Sequence, residues 1–89
     1  MYYDGIWNVD VRGKARKALK KIPARQARAI LNVIETFTSD PFGGDIEKLG
    51  GEAYAWRRRV GVYRIFFEVY ADTHSVFVYW IERRGSHTY

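Results

Sequence analysis

The stretch WRRRVGVYRIFFEVY, residues 56–70, decides how this chain is read. It is rich in β-branched and aromatic residues and has no helical period, and Gly61 divides it into strands Trp56–Val60 and Val62–Tyr70 joined by a tight hairpin. Side chains alternate across a strand. Tyr63, Ile65, Phe67 and Val69 therefore share an apolar face, and Arg64, Phe66, Glu68 and Tyr70 point the other way. On the preceding strand Trp56, Arg58 and Val60 share one face, and Arg57 and Arg59 share the opposite one. The pattern predicts a sheet with one buried and one open face, the open face carrying Arg57, Arg59 and Arg64 beside aromatic rings. Guanidinium groups in that setting can hold phosphates through paired hydrogen bonds while the rings stack on bases. A plainer reading stands beside it: Arg64 has Glu68 on its own face as a partner, and Arg57 and Arg59 suit an edge that discourages strand addition. Arg58 falls on the face to be buried, and its charge is expected to reach out at the sheet edge or meet a carboxylate.

Working outward, Ile6–Val11 reads as a short strand anchored by Trp7, after which Ala15, Ala18, Leu19 and Ile22 recur at helical spacing among Lys14, Arg16, Lys17, Lys20 and Lys21. Pro23 breaks that helix and opens another, which carries Ala27, Ile30, Leu31, Ile34 and Phe37. Thr38–Asp45, containing Asp-Pro-Phe-Gly-Gly, ends the helical hairpin; Gly50-Gly51 marks a loop, and Ala71–His74 is the turn before a final strand, Ser75–Ile81. The order βααβββ predicts an α+β fold: an N-terminal strand, a helical hairpin and a three-stranded antiparallel meander forming one twisted sheet with both helices on one face.

Eighty-nine residues, 47% of them apolar, suit one domain over 1–89 with a modest core. Cysteine is absent, which removes disulfides, thiolate chemistry and cysteine-rich zinc sites. No window approaches the roughly 20 apolar residues of a membrane span, and the N-terminus lacks a secretory pattern; a cytoplasmic protein with no membrane partner is expected. Fifteen basic against ten acidic residues give a net charge of +5, which favours a polyanion or an acidic protein as partner. Asp40, Asp45, Glu47 and Glu52 have no recognisable ligand spacing, so neither a metal nor another cofactor is expected, and no phosphate-binding glycine loop occurs.

Lys48-Leu49-Gly50-Gly51, then Trp56–Ile65, then Arg83-Arg84-Gly85 with a closing tyrosine resembles the RelE/ParE superfamily of type II toxins across nearly the whole chain. The resemblance implies a small ribonuclease that acts without metal, cuts messenger RNA in the ribosomal A site and is neutralised by a cognate antitoxin. By position it assigns Arg57 and Arg59 to the paired basic residues before the hairpin and Arg64 to the arginine of the Tyr-Arg-[Ile/Leu/Val] strand. Arg83 or Arg84 matches the arginine beyond the last strand, and Tyr89 the C-terminal tyrosine. Three positions depart from the pattern: Arg58 at a usually apolar site, Val62 at a polar turn site, and Glu82 where His or Lys is common. ParE-like relatives share the fold but inhibit DNA gyrase without cutting RNA, and a non-catalytic RNA-binding module would use the same face.

Metal-independent RNA cleavage needs a base for the 2′-OH, an acid for the 5′-oxygen and positive charge at the phosphate. Arginine stays protonated, which makes Arg57, Arg59, Arg64, Arg83 and Arg84, with Lys48, phosphate ligands rather than bases. The groups that titrate lie in the tail, where His87 is a candidate acid or base and Tyr89 a candidate acid or stacking surface. Arg64, Arg83, His87 and Tyr89 are the expected catalytic set, and His74, in a turn, is given no part.

Overall fold

The structure is a computed structural model that describes residues 1–85. Its strands are β1 (Tyr2–Tyr3), β2 (Asn8–Val11), β3 (Ile46–Lys48), β4 (Ala55–Val60), β5 (Tyr63–Tyr70) and β6 (Ser75–Arg83); helices α1 (Gly13–Lys20) and α2 (Ala24–Thr36) follow β2. They form one sheet in the order β1-β2-β6-β5-β4-β3. β4, β5 and β6 are the expected antiparallel meander, and β2 joins β6 in parallel, with Val9 opposite Val76 and Val11 opposite Val78. The helical hairpin carries the chain from β2 across the sheet to β3 at the opposite edge, and the meander brings β6 back beside β2. Two short strands were not anticipated: β1 pairs with β2, and β3, in a segment to which no element was assigned, extends the other edge through Glu47 opposite Arg57.

Both helices lie on one face of the sheet. Ala15 and Leu19 of α1, Ile30 and Ile34 of α2, and Phe37 meet Ile65, Phe67, Val76, Val78 and Ile81, and Phe37 stacks on Phe67 at 4.5 Å between ring centres. Every second residue of β5 from Tyr63 to Val69 is buried, as the alternation predicts. Lys17 and Lys20 occupy the last turn of α1, where the helix dipole favours cations.

The hairpin between β4 and β5 closes with Val60 opposite Tyr63, and Gly61 takes φ +57° while Val62 stays at negative φ. That is the pattern of a type II′ turn, which needs glycine only at its first central position. Val62 therefore fits without strain.

β6 carries an extra residue. Phe66 pairs with Trp80 but Phe67 pairs with Val78, so Tyr79 has no partner on β5. Strict alternation from Val76 and Val78 would send Trp80 and Glu82 towards the helices. Instead the bulge buries Ile81 and moves Trp80 and Glu82 to the open face.

At the β3–β4 edge the inner face lies beyond the helices, and the turn after α2 covers it. Pro41 is fully buried, and Phe42 meets Trp56 and Trp7 edge-on at 5.3 and 6.0 Å. Arg58 projects under this turn, and its Nη1 donates to the Gly43 carbonyl at 3.0 Å. Its charge meets a backbone oxygen, neither escaping to solvent at the edge nor finding a carboxylate. His74 is also structural. It stacks on Trp7 at 4.5 Å, and its Nδ1 lies 3.1 Å from the Ile6 carbonyl, tying the turn before β6 to the start of the chain.

Candidate phosphate-binding face

The open face is defined by cross-strand register. Arg59 stands opposite Arg64, Arg57 opposite Phe66, and Phe66 opposite Trp80, while Arg64 stands opposite Glu82 on its other side. Residues directly opposite in a sheet point the same way, so Arg57, Arg59 and Arg64 share one surface with Phe66, Trp80 and Glu82.

Two of the three arginines have carboxylate partners. Glu47 on β3 forms an ion pair with Arg57. Arg64 Nη1 is 3.6 Å from Glu82 Oε2, whereas Glu68, the partner suggested by same-strand spacing, accepts a hydrogen bond from the Tyr70 hydroxyl at 3.3 Å. Among the described residues Arg59 is in no ion pair, and Arg64 Nε is shielded from solvent with no hydrogen-bond partner. Like charges directly opposite are unfavourable in a sheet. The Arg59–Arg64 pair is thus a place where an anion would be stabilised.

Aromatic rings continue the same surface. Phe66 and Tyr79 lie 6.3 Å apart, Tyr70 contacts Phe77 and Tyr54 at 5.6 and 4.6 Å, and Arg12 sits 4.3 Å over the Phe77 ring. Burial first, and Glu68 second, raise the Tyr79 and Tyr70 phenols above their usual pKa of 10.0. Both are therefore proton donors at neutral pH and not bases.

The other expected ligands lie elsewhere. Lys48 is opposite Trp56 on the helix side, 5.8 Å over that ring, and donates to the Glu52 carbonyl. Arg83 is opposite Tyr63, also on the helix side, and lines a cleft of about 860 Å³ with Lys14, Lys17 and Lys21. Arg84 follows the strand, is exposed, and donates its backbone N–H to Val62 at 2.5 Å. His87 and Tyr89 lie outside the described residues. Among the described residues no three His, Cys, Asp or Glu side chains stand together as a metal site, and no helix is long and apolar enough to cross a membrane. Sequence reasoning missed Glu82 and Trp80 as members of the face, because their placement depends on the bulge at Tyr79.

A six-stranded sheet with a parallel β2–β6 pair, a helical hairpin on one face and arginines on the other defines the chain as a small α+β protein of the RelE fold. No protein-family model matches it. The fold is similar to RelE in the RelE–RelB complex of Pyrococcus horikoshii, with TM-score 0.79, 24% identity, and coverage of 97% of this chain and 99% of that one. It is also similar to the RelB–RelE complex of Methanococcus jannaschii, at TM-score 0.71, 29% identity, and coverage of 85% and 91%. The RelE1 protein of Methanocaldococcus jannaschii is 28% identical over 81 residues, 88% of this chain and 90% of that protein. In sequence and in fold the chain is similar to RelE proteins over nearly its whole length.

Proposed function

We propose that this protein is a toxin of a type II toxin–antitoxin system, an endoribonuclease that cuts ribosome-bound mRNA and so inhibits translation. The observation that carries the reading is the Arg59–Arg64 pair, flanked by Arg57, on an open face that also presents Phe66 and Trp80. A gyrase-directed protein has no comparable need for opposed arginines beside stacking surfaces. Arg64 takes the scissile phosphate, and its unpartnered Nε is a donor for charge that grows in the transition state. Arg57 and Arg59 hold the adjoining backbone. Arg83, Arg84 and Lys48, on the helix-side rim and beyond the last strand, meet flanking RNA or ribosomal phosphates. Proton transfer without metal falls to groups that titrate, and the tail supplies His87 and Tyr89. The partner that restrains it is a RelB-like antitoxin, in keeping with relatives crystallised as RelE–RelB and RelB–RelE complexes, and the site of action is the cytoplasm.

The test is purified protein added to ribosomes carrying a defined mRNA, with 5′ ends mapped by primer extension. Cuts in A-site codons, absent with naked mRNA and lost in Arg64→Ala and Arg83→Ala, are expected. Intact mRNA under the wild-type protein would refute the reading.

A further inference from the structure

Resting on the reading above, we infer that Glu82 is the proton acceptor of the cleavage reaction and that Trp80 is the residue that positions it. The bulge at Tyr79 moves this pair from the helix side to the arginine face, and bulges commonly re-aim side chains near active sites. The Glu82 carboxylate is then held from two sides. Its Oε1 accepts the Trp80 indole N–H at 3.1 Å, and its Oε2 lies 3.6 Å from Arg64 Nη1.

The second distance is too long for a hydrogen bond, so Oε2 keeps lone pairs available beside the group that binds phosphate. Glu82 is 24% exposed and Arg64 23%, which leaves both within reach of a ligand on the open face. A carboxylate at this position weakens phosphate binding by repulsion. Fixed by an indole donor and aimed past Arg64, it can instead take a proton from a hydroxyl next to the bound phosphate. Of the two acids paired with Arg57 and Arg64, Glu47 is engaged by Arg57 at the far edge and Glu82 stands beside Arg64. Tyr79 and Tyr70 are excluded as bases by their raised pKa.

In the step itself, Glu82 takes the 2′-OH proton as the 2′-oxygen bonds to phosphorus. The bond from phosphorus to the 5′-oxygen breaks, and that oxygen takes a proton from the tail acid, His87. The products are a 2′,3′-cyclic phosphate and a 5′-hydroxyl, with no redox change. The tail is thereby left with the acid role alone.

The experiment is single-turnover cleavage on programmed ribosomes by wild type, Glu82→Gln, Glu82→Ala and Trp80→Phe, alongside ribosome affinity measured with 2′-deoxy mRNA. Glu82→Gln is expected to cleave at least about 100-fold more slowly and to bind within threefold of wild type. Formate should restore Glu82→Ala at least tenfold but leave Arg64→Ala unchanged. Trp80→Phe, which keeps a ring but removes the donor, should lose rate without affinity. Cleavage by Glu82→Gln within threefold of wild type, or no rescue by formate in a folded Glu82→Ala, overturns the assignment. A wild-type protein that leaves the mRNA intact overturns the nuclease reading itself, a separate outcome.

Discussion

Arg58 and Gly44 are expected to be energetically coupled. Gly44 has φ +84°, and a Cβ built there would lie 2.4 Å from both Cζ and Nη1 of Arg58. Gly44→Ala therefore forces a left-handed backbone on an L-residue, at about 1–2 kcal/mol, and also pushes the guanidinium off the Gly43 carbonyl. Arg58→Ala removes the same bond, whose donor is charged, at about 1.5–3 kcal/mol. If the two changes were independent, the double variant would lose about 5 kcal/mol relative to wild type. Because the hydrogen bond can be lost only once, about 3 kcal/mol is expected, a coupling of about 2 kcal/mol. Urea unfolding of the four proteins measures this directly. For a domain of this size, Arg58→Ala should lower Tm by about 10 °C. Losses that add to within about 0.5 kcal/mol would show that Arg58 does not hold the turn, and the account of its position would fail.

Phe67→Ala removes a fully buried ring stacked on Phe37 and is expected to cost about 3–5 kcal/mol, read from the urea midpoint; a loss below 1 kcal/mol would contradict the placement of the core. Glu47→Gln releases Arg57 from its ion pair and should tighten binding to single-stranded RNA and steepen its salt dependence; an unchanged slope would mean that Arg57 does not reach RNA. Tyr3, Tyr70 and Tyr79 have raised pKa values, chiefly through desolvation. The unfolded chain therefore ionises first as pH rises past 10, and stability present below that pH is lost above it. Ultraviolet titration should show Tyr3, Tyr70 and Tyr79 ionising above pH 10 in the folded protein, and a transition that loses no part when these three are changed to Phe would refute the shifts.

The alternation of β5 was fully legible in the sequence, because one face is covered by helices and a one-residue slip would expose Ile65 and Phe67. The arginine face followed from the same argument. β1 and β3 were not legible, since two or three residues leave no period and owe their strand character to the neighbours they extend. The bulge at Tyr79 left no local signature either: Val78-Tyr79-Trp80-Ile81 reads as continuous strand, and only pairing with β5 shows which residue is extra. Arg58 was misjudged for a related reason. Its partner is a carbonyl fifteen residues away, and backbone acceptors carry no residue label.

β6 lies between β2 and β5, so the last strand of the described chain separates two groups of strands that do not otherwise touch in the sheet. Until it arrives, β1–β2 has no partner beyond itself and β3–β5 lacks Val76, Val78 and Ile81 beneath the helices. Pairing the ends of the chain in parallel makes folding depend on distant contacts, which form slowly and late. During synthesis Trp80 and Glu82 join the arginines of β4 and β5 only after β6 emerges. The order in which the strands appear therefore sets when the sheet is complete.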